Sequence, residues 1–431
     1  MKNFTLIALV SLLFSGLVSG QQEKGITGYE NWLKPWTEFK PNKVDYGTPT
    51  EIISGNITED TKLYKKHTYL LLGDVYVTDS TTLIIEPGTV IMGDFKTKGA
   101  LIVSKDSKII AKGTSTDPII FTSSNSVKKP GDWGGLFILG DAPISNLSDE
   151  ASLNHGLIPP ATKNISYGGN NQDSDSGILR YVRIEYAGKR TKLYGYFNGL
   201  TLAGVGYQTV IDNVMVSFCK GTSFNVLGGN VVLDRLVSYK SSIHDYEFNY
   251  GVQCNITNSL AVKSPYVSGS TASKSMNILA YNLKEEIDLS KPQTNIWAEN
   301  LTLLNVSNDL ENDIKVGLVN EAIFIGENTF LSMNKSVVSG FNPAVILDEK
   351  IKLNSANLED IRFTKMYFNN CNGNIFKKGF SNNDDLENWY GSYSFSNVYS
   401  KGPDSETFID SGNSRYPDFR LRINKIIAAN D

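Results

Sequence analysis

Between Thr81 and Ser123 the chain alternates short apolar runs with turn residues. Leu83-Ile84-Ile85, Val90-Ile91-Met92, Leu101-Ile102-Val103, Ile109-Ile110 and Ile119-Ile120-Phe121 recur every 8 to 10 residues or so, separated by Gly, Pro and Asp. Runs this short predict strands joined by tight turns, not helices. Stacked two or three to a turn, they predict a solenoid whose inward side chains bury one another and whose outward faces stay free for binding. A longer repeat agrees. Ile211-Asp212-Asn213-Val214 returns 22 residues later as Leu233-Asp234-Arg235-Leu236, and Ile256-Thr257-Asn258 follows 23 residues after that. That period suits one turn of a three-faced parallel β-helix. Leu179 to Ile184 and Asn334 to Gly340 read as further copies. Asn beside the apolar pair is expected at corners, where it tolerates left-handed φ and can stack along the axis.

Two polar, Asn- and Pro-containing stretches break the pattern, Ser145 to Ser176 and the shorter Asn282 to Gln293. Both predict excursions from the solenoid wall, and such insertions often form the binding surface. Residues 51–380 are therefore assigned to the β-helix, with the main excursion at 145–176. Ahead of it, the leader 21–50 carries Trp32, Trp36 and Phe39 at spacings of four and three, broken at Pro41. It is expected to cap one end of the solenoid, with an aromatic binding platform as the alternative. Residues 381–431 read as a last irregular coil or a C-terminal cap.

The first twenty residues, one Lys, an apolar run from Phe4 to Val18, then Ser19 and Gly20, read as a cleaved signal peptide. An N-terminal anchor helix is the alternative. No Cys follows the run, which argues against lipid anchoring, and no later stretch reaches eighteen apolar residues. The expected product is exported, with no transmembrane span in the mature chain, and destined for the outer membrane, the cell surface, the medium or the periplasm.

Composition narrows the partners. A chain of 431 residues, 40% hydrophobic, holds ample core but is long for one globular unit, a limit that an elongated solenoid escapes. Forty-one basic against 45 acidic residues give a net charge of −4. That balance leaves no footprint for nucleic acid or anionic membrane and disfavours polyanions. Cys219, Cys254 and Cys371 cannot all pair. Buried thiols are the expected state, a Cys219 to Cys254 bridge between coils is the alternative, and the spacing suggests no zinc site.

Candidate chemistry is sparse. Parallel β-helices include polysaccharide lyases and hydrolases, and a hydrolase needs paired carboxylates on neighbouring coils. Asn154-His155-Gly156 and Arg183-Ile184-Glu185 approach the signatures of pectin hydrolases without setting an acid beside a base. His244-Asp245-Tyr246-Glu247 is the densest titratable cluster, read either as a sugar or metal site with His244, Asp245 and Glu247 as ligands, or as a solvated corner. Asp173 and Asp175 alternate in an Asn-rich loop as calcium ligands do, without the glycine turn and distal Glu of an EF-hand; calcium is the one cofactor this suggests, a polar loop the alternative. Trp133, between Gly131 and Gly134-Gly135, is a stacking candidate or a ring folded over a tight corner, and Tyr181, Tyr186, Tyr194 and Tyr196 offer further aromatic surface.

The strings ISGNITEDTKLYKKHTYLLLGDVYVTDSTTLIIEPGTVIMGD, KGALIVSKDSKIIAKGTSTDPIIFTS, GDWGGLFILGDAPI and SGILRYVRIEYAG, with NGLTLAGVG and TVIDNVMVSF after them, resemble exported right-handed β-helix proteins of Gram-negative cell surfaces. Members are often catalogued as type IX secretion targets or lipoproteins. The resemblance spans about half the chain, Ile52 to Leu260, and implies a secreted or surface solenoid without established catalysis. It also implies acidic corner runs where this chain has Lys220-Gly221-Thr222 and Ser241-Ser242-Ile243, so any cation site there is reduced to Asp245 and Glu247. The ending NKIIAAND does not resemble a type IX sorting domain. The resulting expectation is a single right-handed parallel β-helix, all-β, acting as a non-catalytic binding protein for a surface polysaccharide or an outer-membrane transporter. A β-helix lyase or glycoside hydrolase and a structural subunit of an outer-membrane complex are the alternatives.

Overall fold

The computed structural model describes residues 24–153, 156–192, 194–267, 272–380 and 383–422, so the expected signal peptide and His155 lie outside the described residues. Twenty-nine strands are joined through parallel pairings into a right-handed parallel β-helix. Each coil gives one strand to each of three sheets: Thr82–Ile85, Val90–Gly93 and Ala100–Val103 in one coil stack under Lys108–Lys112, Ile119–Ser123 and Gly135–Leu139 in the next. The sequence repeat is the coil itself. Ile211 pairs with Leu233, and Leu233 pairs with Ile256. Parallel pairing in register puts like residues above one another, so Ala111, Leu179, Ile211, Leu233 and Ile256 form one inward column of the core.

From Tyr181 onward the turn from the first sheet to the second uses one left-handed residue per coil: Tyr181, Asn213, Arg235, Asn258, Asn300, Lys335 and Lys365 all have φ between 44° and 57°. Asn fills only some of these corners, although it is among the residues that reach this region most easily. Asn258 exchanges hydrogen bonds with the backbone of Thr27, and Asn300 donates to the Gly25 carbonyl, so both hold the leader.

The leader covers a face of the solenoid, which corrects the expectation that it caps an end. Outward positions of the second sheet, Met215, Val237, Leu260, Val337 and Tyr367, form a row in register that is apolar except for Thr302, whose hydroxyl accepts from the Ile26 amide. A sheet with two apolar faces needs cover on both. Ile26, Leu33, Trp36 and Phe39 supply it together with Phe408, Phe419 and Leu421 from a C-terminal hairpin, Phe408–Asp410 with Asp418–Leu421. Trp36 meets Tyr181 edge-on at 5.8 Å and Phe39 meets Tyr239 at 4.9 Å. The C-terminal end of the core is closed by the helix Asp384–Tyr390, whose Leu386 and Tyr390 join the interior cluster. Tyr390 packs on Phe363 and donates to the Ile361 carbonyl at 2.8 Å.

The main excursion leaves the third sheet after Leu139 and returns at Gly177. Its Ile144, Leu153, Leu157, Ile165 and Tyr167 lie against Tyr76, Ile102 and Phe137, which face outward on that sheet. The shorter excursion is tied to it. Leu147 donates to the Glu286 carbonyl, Asp288 donates to that of Ser145, and Lys291 Nζ reaches Asp149 at 2.8 Å.

Candidate functional site

Along the third sheet one outward row changes character midway. Tyr76, Ile102 and Phe137 are followed in register by Thr201, Asn225, Glu247 and Asn277, and then by Phe324, Ile346 and Phe376. The apolar upstream part lies under the excursion. The polar part opens into a cleft of about 860 Å³. Its floor includes Asn225 and Glu247, one wall comes from the joined excursions, and the opposite wall carries Tyr194 and Tyr196 from a small hairpin, Arg190–Thr191 with Gly195–Tyr196.

The floor is cross-linked by hydrogen bonds. Asn198 donates to Thr201 Oγ1 at 3.3 Å and accepts from the Thr222 backbone at 3.2 Å, and Thr222 Oγ1 donates to Glu247 Oε2 at 3.3 Å. The Asn277 side chain also bonds to the Glu247 carboxyl, yet removal from water raises that carboxyl above the usual carboxylate range. Asn225 is only 6% exposed and its Oδ1 has no partner. On the excursion wall Glu286 accepts from the Tyr250 hydroxyl at 2.9 Å, and Glu150 pairs with Lys105 at 2.6 Å.

The predicted cluster at 244–247 is split at the corner, because Asp245 precedes the strand Tyr246–Asn249 and does not follow its alternation. His244 and Glu247 line the cleft, whereas Asp245 turns into the solenoid at 0% exposure, a correction to its assignment as a ligand. Asp245 accepts from Ser238 Oγ at 2.5 Å and lies 3.6 Å from Lys263 Nζ, which donates to the Ile243 carbonyl. Burial raises the Asp245 carboxyl and lowers the Lys263 ammonium, the response of an enclosed ion pair. His244 accepts from the Lys274 backbone at Nδ1, and burial, with the Lys274 and Lys263 charges, pushes it well below its ordinary pKa. It is a neutral imidazole at physiological pH.

Trp133 is not a stacking surface. It lies in the core at 1% exposure, stacked on Phe121, and its indole N–H donates to the Glu185 carbonyl. Gly93 makes this fit, because a Cβ there would sit 2.4 Å from the Trp133 Cβ. Asp173 and Asp175 lie outside the cleft lining. Asp175 bonds Lys108 Nζ at 2.6 Å and the Gly177 amide, while Asp173 is exposed. Among the described residues no three His, Cys, Asp or Glu side chains converge on a point. The tyrosines divide: Tyr194 and Tyr196 reach the cleft, whereas Tyr181 and Tyr186 pack against Trp36 and Phe218. The thiols are unpaired, with burial pushing Cys219 and Cys371 up to about 12 and Cys254 higher still.

A second acid and base pair was missed. Strand period puts Arg183 and Glu185 on the same outward face, their side chains 3.4 Å apart beneath the leader. Tyr46 of the leader bridges them, accepting from Arg183 at 2.8 Å and donating to Glu185 at 2.9 Å.

Fold and cleft together define a parallel β-helix with a walled lateral recess. A family model described as "Pectate-lyase like beta helix domain" matches residues 55–406, and the chain belongs to that family. No curated protein matches the chain.

Proposed function

We propose that the protein binds a polysaccharide in the third-sheet cleft without cleaving it, as an exported envelope or cell-surface component. The observation that carries this reading is the change from apolar to polar outward residues where two excursions and a hairpin raise walls around the sheet. A cavity of this size, with hydrogen-bonding groups on its floor and tyrosines at its edge, suits sugar rings, whose faces stack and whose hydroxyls need partners. The apolar N-terminal twenty residues support export, and family membership supports a polysaccharide as ligand.

Retention on a glycan array, followed by titration with Tyr194→Ala/Tyr196→Ala, tests the reading. A glycan that binds the native chain should lose at least tenfold in affinity to the double variant. Retention of no glycan, or equal binding by both proteins, would overturn it and leave the structural-subunit alternative. A second reading, glycoside hydrolysis, is favoured by one observation: Glu247, with its raised pKa, shares the cleft with Glu286, which is the outline of an acid and base pair. New reducing ends released by the native chain but not by Glu247→Gln would establish it in place of simple binding.

A further inference from the structure

We infer that the ligand of this cleft is a glycan bearing free amino groups, its ammonium seated between Glu247 and Asn225. This rests on the polysaccharide reading above and adds the charge of the sugar. Among the described lining residues there are four carboxylates, Glu150, Glu247, Glu285 and Glu286, and no Lys or Arg. Glu150 is already matched by Lys105. Glu247 is held by neutral donors, Thr222 and Asn277, and the Lys274 ammonium that acts on it from a distance is bound to Glu321 at 3.3 Å.

The acidic lining acquires direction from an independent observation. Asn225 pairs with Glu247 in register on the neighbouring strand, is more than nine-tenths buried and presents an acceptor oxygen with no donor. Adjacent strands lie about 4.8 Å apart, so the Glu247 and Asn225 side chains, both on residues that line the cleft, lie within reach of one group. The group that satisfies both must donate in two directions and carry positive charge, and a primary ammonium has three N–H donors. A uronate would bring acceptors to acceptors and negative charge to carboxylates. Neutral sugar hydroxyls would satisfy Asn225 while leaving Glu247 without a counter-charge.

Calorimetric titration of the mature chain with glucosamine hexamer, its N-acetylated counterpart and oligogalacturonate of equal length tests the inference. The glucosamine hexamer should bind at least tenfold more tightly than either other sugar and should weaken as salt is raised. Glu247→Gln should lose at least tenfold for the glucosamine hexamer and less than twofold for the N-acetylated one. Asn225→Ala should lose several-fold for the glucosamine hexamer, an independent readout should the first variant misfold. Preference for oligogalacturonate, or undiminished glucosamine binding in both variants, would overturn the inference. So would a lysine hexapeptide that binds as tightly with the same dependence on Glu247. If neutral or acidic sugars bind and lose affinity in Tyr194→Ala/Tyr196→Ala, the polysaccharide reading survives and only the amino-sugar assignment falls. If no sugar binds, both fall.

Discussion

Glu185 and Glu247 are the same residue type on outward strand positions of one solenoid, and both carboxyls are raised by burial. Their surroundings differ in who supplies the cover. Over the second sheet the chain covers itself: the leader brings Tyr46 down onto Glu185 and Arg183, and Trp36 and Phe39 onto the apolar row beyond them. Over the third sheet the excursions stop short of Glu247 and leave a cleft. A solenoid offers many chemically similar outward faces; the chain seals the second sheet itself, whereas on the third its insertions leave a walled recess that a ligand can enter.

The sharpest way to break this comparison is to make one substitution at both sites. At neutral pH, Glu185→Gln strands the Arg183 guanidinium under the leader, and removing one partner of a buried pair costs about 3–5 kcal/mol. Glu247→Gln removes a desolvated carboxylate whose partners are neutral, so it should be neutral or stabilising by on the order of 1 kcal/mol. Urea denaturation of both variants reads the difference, and equal losses would mean that Glu247 is as structural as Glu185. The pH dependence has a definite sign. Because the folded Glu247 carboxyl titrates above its unfolded value, the folded state holds the extra proton, and this group's contribution falls as pH rises from about 4.3 through the raised pKa. Glu247→Gln should flatten that part of the stability curve.

Removing the leader's anchor tests the second face alone. Trp36→Ala should cost about 3–5 kcal/mol, since the ring is fully buried between Tyr181 and the outward residues of the sheet. At the solenoid's end, Leu386→Ala should cost about 2–5 kcal/mol by opening a cavity in the interior cluster. Neither substitution touches the cleft, so glycan affinity measured on the folded fraction should stay within twofold of the native value.

The solenoid was legible because its signal repeats: Ile211, Leu233 and Ile256 recur at the coil period, and parallel stacking turns that period directly into register. The cleft was half legible. The excursions were visible as polar interruptions, and His244 and Glu247 as titratable groups, but Asp245 falls in the corner just ahead of the strand Tyr246–Asn249, where strand alternation does not set the direction of a side chain. Asn225 is an ordinary polar residue until the register sets it beside Glu247. Reading outward positions coil by coil would have exposed the row Thr201, Asn225, Glu247 and Asn277. Arg183 and Glu185 were passed over as a motif near miss, although a spacing of two on a strand already places them together.

The smallest expected effect lies in the Asn-rich loop, where two aspartates have the spacing of calcium ligands but different partners. Asp175 is already bonded to Lys108 on a partly exposed face, and such pairs contribute about 0–1 kcal/mol. Asp175→Ala should therefore shift the unfolding midpoint only slightly, and Asp173→Ala less. Adding calcium at millimolar concentration should leave the native midpoint in place, since a cation there must displace the Lys108 ammonium and then find further oxygen ligands in a loop where no third carboxylate converges. A calcium-dependent rise in the midpoint that vanishes in Asp175→Ala would move the metal question to this loop. It would also show that a surface outside the cleft had been prepared for a ligand, and so break the rule that the walled recess is where the chain receives one.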